Sequence, residues 1–546
     1  MRLSWIVELD DHDLRTAVDA LKGRLSSIGH EVADPGDADV VLVWADRALS
    51  GELVRAVTGS DVPVVLAGPT LTSADPQGAL AEAAGVYVAG LTPTHDIRLR
   101  AQHEGGFSLS GHEHAGDDHL GRHDHVRDRV TLVDKVADDV EVLRFAQVGL
   151  VAHPVMTWRS QTATGVWTLG TVPASVDDRI ATRALLELVH RASDHPVPST
   201  VRVGLLGYGA IGHEHSRAVR SVEGLELTAV CDSSAARLAA AEAAAPGIVT
   251  VTDADALLAR DDVDLVVVST PPSTHASWAL RAIRAGKHVV VEKPFAIRTE
   301  EADAVLAEAE AAGRVAVVYQ NRRFDPDHLA VRRAIAAGAL GEVFHIETFV
   351  GGYGHPCNFW HSDAEVSGGA IFDWGSHVLD QLLDLVPGDV EFVTAANHKL
   401  RWHDVTNADH SRVTLRMRGG VEAEFVYSDL AAALKPKWYV LGTEGAVVGQ
   451  WRTERVVARG SIGTLDEDVL APADSPADLF LHAPDGSVTA MAVPPVRPGT
   501  FHRELADSLL AGLPTTVTAE SSRRVVAVME AAERSAAADG RPEVPR

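Results

Sequence analysis

The chain of 546 residues has only two cysteines, Cys231 and Cys357. Two thiols exclude both a disulfide framework and a cysteine-rich zinc site, and they fit a cytoplasmic enzyme. Basic charge is also scarce. Lysine and arginine total 49 against 76 acids, a formal charge of −27. That balance argues against nucleic acid or an anionic membrane as a main partner, because both require a basic footprint. No run of about 18 apolar residues is present, so no membrane span is expected. The opening, MRLSWIVELDDHDLR, carries acids where a signal peptide carries cations. Lysine itself is rare, with seven in the chain, so one in a suggestive position stands out. What is present is ordinary for a folded protein: 46% apolar and 23% charged residues. At about 150 residues per domain, the length predicts three to four domains, enough to bury several cores.

Residues 1–197 alternate short apolar strands with amphipathic helices. Strands are expected at Arg2–Glu8, Asp39–Trp44, Val62–Ala67, Val142–Val148 and Val166–Leu169, and helices at Leu14–Ile28, Ser50–Val57 and Asp178–Arg191. Such alternation predicts a parallel sheet wrapped by helices. Residues 193–200, rich in proline and small polar side chains, read as a linker. A second α/β pattern runs from Val201 to Phe324. From Phe344 the texture shifts to long β-type stretches, which predicts a mostly antiparallel sheet, closed by an amphipathic helix at Ala519–Ala536. The expected domains are 1–197, 198–324 and 325–546, the last helix packing back on the second.

The second region opens with a buried-strand pattern, Val201–Leu206, followed by Gly207-Tyr208-Gly209-Ala210-Ile211-Gly212 and a helical stretch. The first glycine permits a tight turn, the second lets backbone approach a pyrophosphate, and the third packs helix against strand. A second strand ends at Asp232, 20 residues past Gly212, the spacing of the acid that binds the ribose hydroxyls of a dinucleotide. Asp232, followed by Ser233, favours NAD, since its carboxylate repels a 2′-phosphate. Arg237 keeps NADP open. Two further strands end in the turn Ser269-Thr270-Pro271-Pro272-Ser273-Thr274-His275 and in Glu292-Lys293-Pro294. The carboxyl ends of parallel strands are where α/β sheets bind ligands, so both turns deliver polar residues to the cofactor crevice.

Together with Gly368-Gly-Ala-Ile-Phe-Asp373-Trp-Gly-Ser-His377-Val-Leu-Asp380, these motifs resemble the Gfo/Idh/MocA oxidoreductase family over about residues 200–540. The resemblance implies a Rossmann domain, an open α+β sheet domain, and hydride transfer between a nicotinamide and a sugar or cyclitol carbon. It implies Lys293 as the active-site lysine, Asp373 as the substrate-binding acid and His377 as the acid/base. It also implies a homo-oligomer. The chemistry is consistent: alcohol oxidation needs a proton acceptor that titrates near the working pH and a positive charge where alkoxide character builds. Asp373 and His377 are four apart and would share one face of a helix. Asn321 follows a strand and is expected at the nicotinamide. Arg322 and Arg323 follow it and are expected at the nicotinamide or the substrate, although Arg323 reads equally as a structural ion pair. Tyr353, His355, Trp360 and His361 lie in a glycine-rich stretch suited to a hydroxylated ligand or to plain loop. Two other readings stay open: an NAD-dependent, redox-neutral glycoside-cleaving enzyme, and a sensor built on an inactive dehydrogenase, against which the intact Lys293, Asp373 and His377 speak.

The stretches Asp138–Val148, Ala152–Arg159 and Gly165–Gly170, followed by a helical segment, resemble ThuA-like domains, which have a class I glutamine-amidotransferase-like, flavodoxin-like fold. Amidotransferase activity needs a thiolate nucleophile, and residues 1–200 contain no cysteine. The implied role is to bind or process a sugar of the same class. Residues 111–125 hold five histidines and four acids. Their spacing matches no fixed ligand motif, and the glycines favour a solvated loop, so no metal is assigned.

Overall fold

The computed structural model describes residues 200–546 except 223, 358–359, 387, 461–462, 473–475, 495–498 and 512. Before residue 200 it describes 2–8, 15–16, 18–19, 21–22, 31–34, 37–45, 49–67, 70, 79–84, 86–91, 95–101, 124–128, 131–148, 151–167 and 188. The predicted helix Asp178–Arg191 apart from Leu188, most of Leu14–Ile28, the linker before Thr200 and the histidine-rich residues 111–123 lie outside the described residues. The chain divides into two compact units. One is Met1–Thr200 with Ser221–Gly224 and Arg503–Pro514, and the other is Val201–Arg220, Leu225–His502 and Thr515–Arg546.

The first unit is built on a nine-stranded sheet in the order Glu31–Val32, Arg2–Glu8, Val40–Ala45, Val64–Ala67, Thr164–Trp167, Val151–Arg159, Val140–Val148, His95–Ala101, Asp124–Asp128. The first five strands are parallel. Val40–Ala45 is buried along its whole length, the mark of a strand covered on both faces. The helix Gly51–Thr58 starts where Ser50 accepts a hydrogen bond from Leu53 N–H at 3.2 Å. The expectation of an all-parallel sheet fails in the other half, where every pairing is antiparallel. The reason is connection length. Only residues 149–150 separate Val140–Val148 from Val151–Arg159, and only 160–163 separate the latter from Thr164–Trp167. Parallel neighbours need a crossover of about a dozen residues or more.

The second unit holds two larger sheets. Six parallel strands run in the order Val249–Val251, Leu225–Cys231, Val201–Leu206, Leu265–Val268, His288–Val291, Ala316–Val318. The strand order reverses beside Val201–Leu206, which creates the crevice where such sheets take a nucleotide. The eight-stranded sheet runs Val390–His398, His410–Met417, Glu422–Ser428, Val343–Gly351, Trp438–Gly442, Gly445–Gln450, Asp478–His482, Val488–Ala490. It is antiparallel except where Val343–Gly351 and Glu422–Ser428 pair in parallel. The closing helix Ala519–Ala537 packs on both halves. Ala395 N–H in the larger sheet donates to Ser535 Oγ at 3.0 Å, and Thr299 Oγ1 beside the smaller one donates to Glu530 at 2.6 Å. One apolar core joins the two sheets, running from Leu206 and Val268 through Ile371 and Phe425 to Met529. No helix among the described residues is long and apolar enough to cross a membrane.

Candidate active site

The parallel strands of the second unit end on a cleft of about 910 Å³. Gly207 leaves the first strand with φ +101°, and a Cβ there would lie 2.4 Å from the Ser269 carbonyl oxygen. Only glycine fits that turn. A Cβ on Gly212 would lie 2.6 Å from the Gly207 oxygen, so the helix Ala210–Ser221 can close on the turn only with glycine there. Gly209 differs: a Cβ would meet nothing within 4 Å. The turn packs against protein at its first and third glycines and faces open space at its second. Asp232 braces it, accepting Tyr208 N–H at 2.8 Å and Ser234 N–H at 2.8 Å, with Arg237 Nη1 3.5 Å away. A carboxylate offers about four acceptor positions, so lone pairs remain for ribose hydroxyls.

On the other side of the cleft, Lys293 Nζ lies 3.0 Å from Asp373 Oδ1 and 3.1 Å from the Asp373 carbonyl oxygen. His361 Nδ1 is 3.6 Å from the same carboxylate oxygen, and its ring stacks on Trp360 at 3.7 Å between centroids. Burial alone would raise the Asp373 pKa. The Lys293 ammonium and His361 outweigh it and hold the carboxyl well below the usual range. His377 is buried, and its Nδ1 has no partner among the described residues. Burial, then the charges of Lys293 and Arg322, hold its pKa well below the ordinary value, so the ring is a neutral imidazole. Asn321 Oδ1 is likewise buried without a described partner. Two orphaned polar atoms on residues that line the cleft mark places a ligand would satisfy.

Sequence neighbours separate here. Of the residues singled out for cofactor, Gly207, Gly209, Ala210, Ile211, Asp232, Ser233, Thr270, Pro271, Pro272, His275, Glu292, Lys293 and Asn321 line the cleft. Tyr208 does not: its side chain is wholly buried, with its ring 4.2 Å from that of His213. Gly212 is inside the helix contact. His275 also braces the cleft floor, with Nδ1 2.7 Å from the Pro294 oxygen and Nε2 2.7 Å from the Thr270 oxygen. Trp360, Asp373 and His377 line the cleft as well. Asp373 and His377 belong to two successive short helices, Ala370–Asp373 and Gly375–Leu385, that meet at Trp374.

Two expectations are corrected. Arg323 is buried in a bidentate ion pair with Asp380, both contacts 2.7 Å, and the cleft residue is its neighbour Arg322. Tyr353 is 56% exposed under the Arg401 guanidinium, off the cleft. Trp278, Tyr319 and Glu214 line the cleft without having been anticipated. Glu214 and Trp278 sit on the helices that follow the glycine turn and the Ser269–His275 turn, and Tyr319 lies just past the strand Ala316–Val318, so it is the packing of these elements that brings the three side chains to the cleft.

Residues 201–320 match the model of an oxidoreductase family with an NAD-binding Rossmann fold, and residues 328–448 match the GFO/IDH/MocA C-terminal domain. The 1,5-anhydro-D-fructose reductase of Ensifer adhaerens is 31% identical over 283 residues, spanning 51% of this chain and 84% of that one. The chain belongs to the GFO/IDH/MocA oxidoreductase family. The scyllo-inositol 2-dehydrogenase (NADP(+)) of Bacillus subtilis is 27% identical over 62% of this chain and 94% of its own. An uncharacterised oxidoreductase of Schizosaccharomyces pombe is 39% identical, over 27% of this chain, and the match spans 40% of that relative. The crystal structure of an NAD-binding protein from Listeria innocua superposes with a TM-score of 0.53 at 26% identity, covering 62% of this chain and 96% of that one.

The family's cofactor, NAD, fits the cleft. Open space at Gly209, the free acceptor positions of Asp232 and the orphaned Asn321 oxygen match a pyrophosphate, a ribose and a carboxamide. This predicts a separation between two glycine variants. Gly209→Ala should fold with an unchanged melting temperature yet bind NAD about tenfold or more weakly, because its methyl occupies the approach of the pyrophosphate. Gly207→Ala should lose stability as well. Calorimetric titration with NAD beside a thermal melt checks both, and undiminished NAD affinity in Gly209→Ala would refute the placement.

Proposed function

We propose that the protein transfers hydride between NAD and a secondary alcohol or ketone of a sugar, cyclitol or keto-sugar. The observation that carries this reading is the Lys293 ammonium, held 3.0 Å from the Asp373 carboxylate, in the same cleft as the glycine turn and the neutral His377. NAD supplies the hydride acceptor or donor. The chain's own residues handle the proton and the charge. His377, neutral and with a free ring nitrogen, takes the hydroxyl proton in the oxidation direction and returns it in reduction. Lys293 stabilises the substrate oxygen as negative charge builds on it. Asp373 holds that ammonium in place and accepts a hydrogen bond from a substrate hydroxyl. The stacked Trp360 and His361 offer a flat face to a polyhydroxylated ring. The two named relatives act on an inositol and an anhydro-sugar, which supports this substrate class.

We read residues 1–197 as a ThuA-like domain that binds or processes the same class of compound, on the strength of the stretches between Asp138 and Gly170. We read 198–324 as the dinucleotide domain and 325–546 as the substrate domain of a cytoplasmic homo-oligomer.

The deciving measurement is absorbance at 340 nm with the purified protein, NAD or NADH, and a panel of sugars, inositols and their keto derivatives. Growth or loss of the reduced-cofactor signal with one compound class is expected. A silent panel, with cofactor released on denaturation and a glycoside cleaved without net redox change, would move the assignment to the redox-neutral chemistry.

A further inference from the structure

Behind the cleft wall at Glu292 lies a chain of buried polar groups that the proposed reaction does not use. His215, wholly buried in the helix Ala210–Ser221, has Nε2 2.8 Å from Glu292 Oε1 and Nδ1 2.9 Å from His502 Nε2. The second Glu292 oxygen accepts Lys293 N–H at 3.0 Å. Tyr319 packs on both imidazoles, with centroids 4.4 and 5.3 Å away, and its hydroxyl donates to Glu214 Oε1 at 3.2 Å. Glu292, Tyr319 and Glu214 all reach the cleft, while the two histidines do not.

The proton arrangement in this chain follows from which atoms have partners. Burial holds the His502 pKa well below its ordinary value, so that ring is neutral with one N–H. His502 Nδ1 has no partner among the described residues. Its hydrogen therefore sits on Nε2, where an acceptor exists, since a buried donor left unpaired is costly. His502 Nε2–H then donates to His215 Nδ1, which places the His215 hydrogen on Nε2, donating to Glu292. Each N–H points toward the carboxylate.

We infer that His502 and His215 hold Glu292 as a fixed anion at the nicotinamide end of the cleft, and that this anion favours the positively charged oxidised nicotinamide over the neutral reduced one. The inference rests on the proposed placement of NAD. With the pyrophosphate at the glycine turn and the adenosine ribose at Asp232, the nicotinamide is left at the Glu292–Lys293 end. Neighbouring charges do not cancel the carboxylate. The Lys293 ammonium is paired with Asp373, Arg322 faces Asp325 Oδ2 at 3.5 Å, His377 is neutral, and Glu214 adds a second negative charge. Glu292 is thus a cofactor-facing group, and His215 and His502 are positioning residues that act through it.

The test is calorimetric titration of NAD⁺ and NADH separately against the full chain and its Glu292→Gln, His215→Leu and His215→Gln variants. Glu292→Gln is expected to raise the ratio of the NAD⁺ to the NADH dissociation constant about tenfold, the size of effect a nearby, partly screened unit charge produces. His215→Leu should raise it about threefold, and His215→Gln, which restores an N–H donor, should bring it back toward wild type. Both nucleotides are measured on the same preparation. A partly unfolded variant therefore lowers both apparent capacities alike and leaves the ratio untouched. A ratio unchanged in Glu292→Gln overturns the inference. A ratio that moves in Glu292→Gln but not in His215→Leu overturns the role of the histidines. If the wild-type protein binds neither nucleotide, it is the placement of NAD that fails.

Discussion

Replacing His377 with Asn should lower the turnover number by about 10²–10⁴-fold, the usual worth of a positioned acid/base, while NAD affinity stays within about twofold of wild type. The expected split follows from where the ring sits. His377 lines the cleft beside the Lys293–Asp373 pair, and among the described residues no hydrogen bond joins it to the glycine turn or to Asp232. Asparagine keeps a polar side chain of similar reach and removes only the titrating nitrogen. The pH dependence carries a second signature. A base acts in its unprotonated form, and burial and the Lys293 and Arg322 charges depress the His377 pKa. The wild-type oxidation rate should therefore be flat through neutrality and fall only well below about pH 6.5, the ordinary histidine pKa. In His377→Asn that acid limb should vanish. Stopped-flow turnover against pH, with whichever compound the 340 nm panel selects, reads both. A rate loss below about threefold, or an acid limb retained in the variant, would move the acid/base role to another group. His361, 3.6 Å from the Asp373 carboxylate, would be the first candidate.

What could be read from the sequence tracks how local the signal is. The glycine turn, the Glu292-Lys293-Pro294 turn and the Asp373…His377 pair are contiguous patterns, each tied to the end of a strand or the start of a helix, and all of them reach the cleft. Trp278, Tyr319 and Glu214 reach it too, but no short pattern in the sequence singles them out. Their positions depend on how six parallel strands stack, which no short window encodes. The antiparallel half of the first sheet was in principle legible, because connections as short as residues 149–150 and 160–163 forbid a parallel crossover. Strand-like composition alone does not report direction. Arg322 and Arg323 show the limit at its finest. They sit side by side in the single 3₁₀ turn Asn321–Phe324, where about 120° separates successive side chains. One faces the cleft and the other faces the core, and a sequence without a longer periodic run gives no phase by which to choose between them.

Arg323 also gives a large expected effect on stability. Arg323→Leu should destabilise the protein by about 3–5 kcal/mol at neutral pH, because it leaves Asp380, 1% exposed, charged and without its bidentate partner. The other contacts of Arg323, with Asp384 Oδ1 at 3.4 Å and the Thr516 oxygen at 3.4 Å, are longer, and Asp384 keeps His328 at 2.8 Å and Arg332 at 3.2 Å. The penalty therefore concentrates on Asp380. Two further measurements separate an unpaired charge from simple loss of packing. In native protein, burial already raises the Asp380 pKa despite Arg323, and without the arginine it rises further. A carboxyl whose folded pKa lies above its unfolded one is best tolerated below the unfolded value and costs stability as pH climbs through the folded value. Arg323→Leu should accordingly recover toward wild type as pH falls from 7 toward 4, in the direction opposite to acid denaturation. The double variant Arg323→Leu/Asp380→Leu, which removes both charges, should lose much less at pH 7 than the single one, since a well-packed apolar pair replaces a buried ion pair at little net cost. Urea unfolding at several pH values measures all three. If the single variant instead melts like wild type while the Michaelis constant for substrate rises, Arg323 belongs to the binding site after all, and the buried pairing with Asp380 is not what holds it.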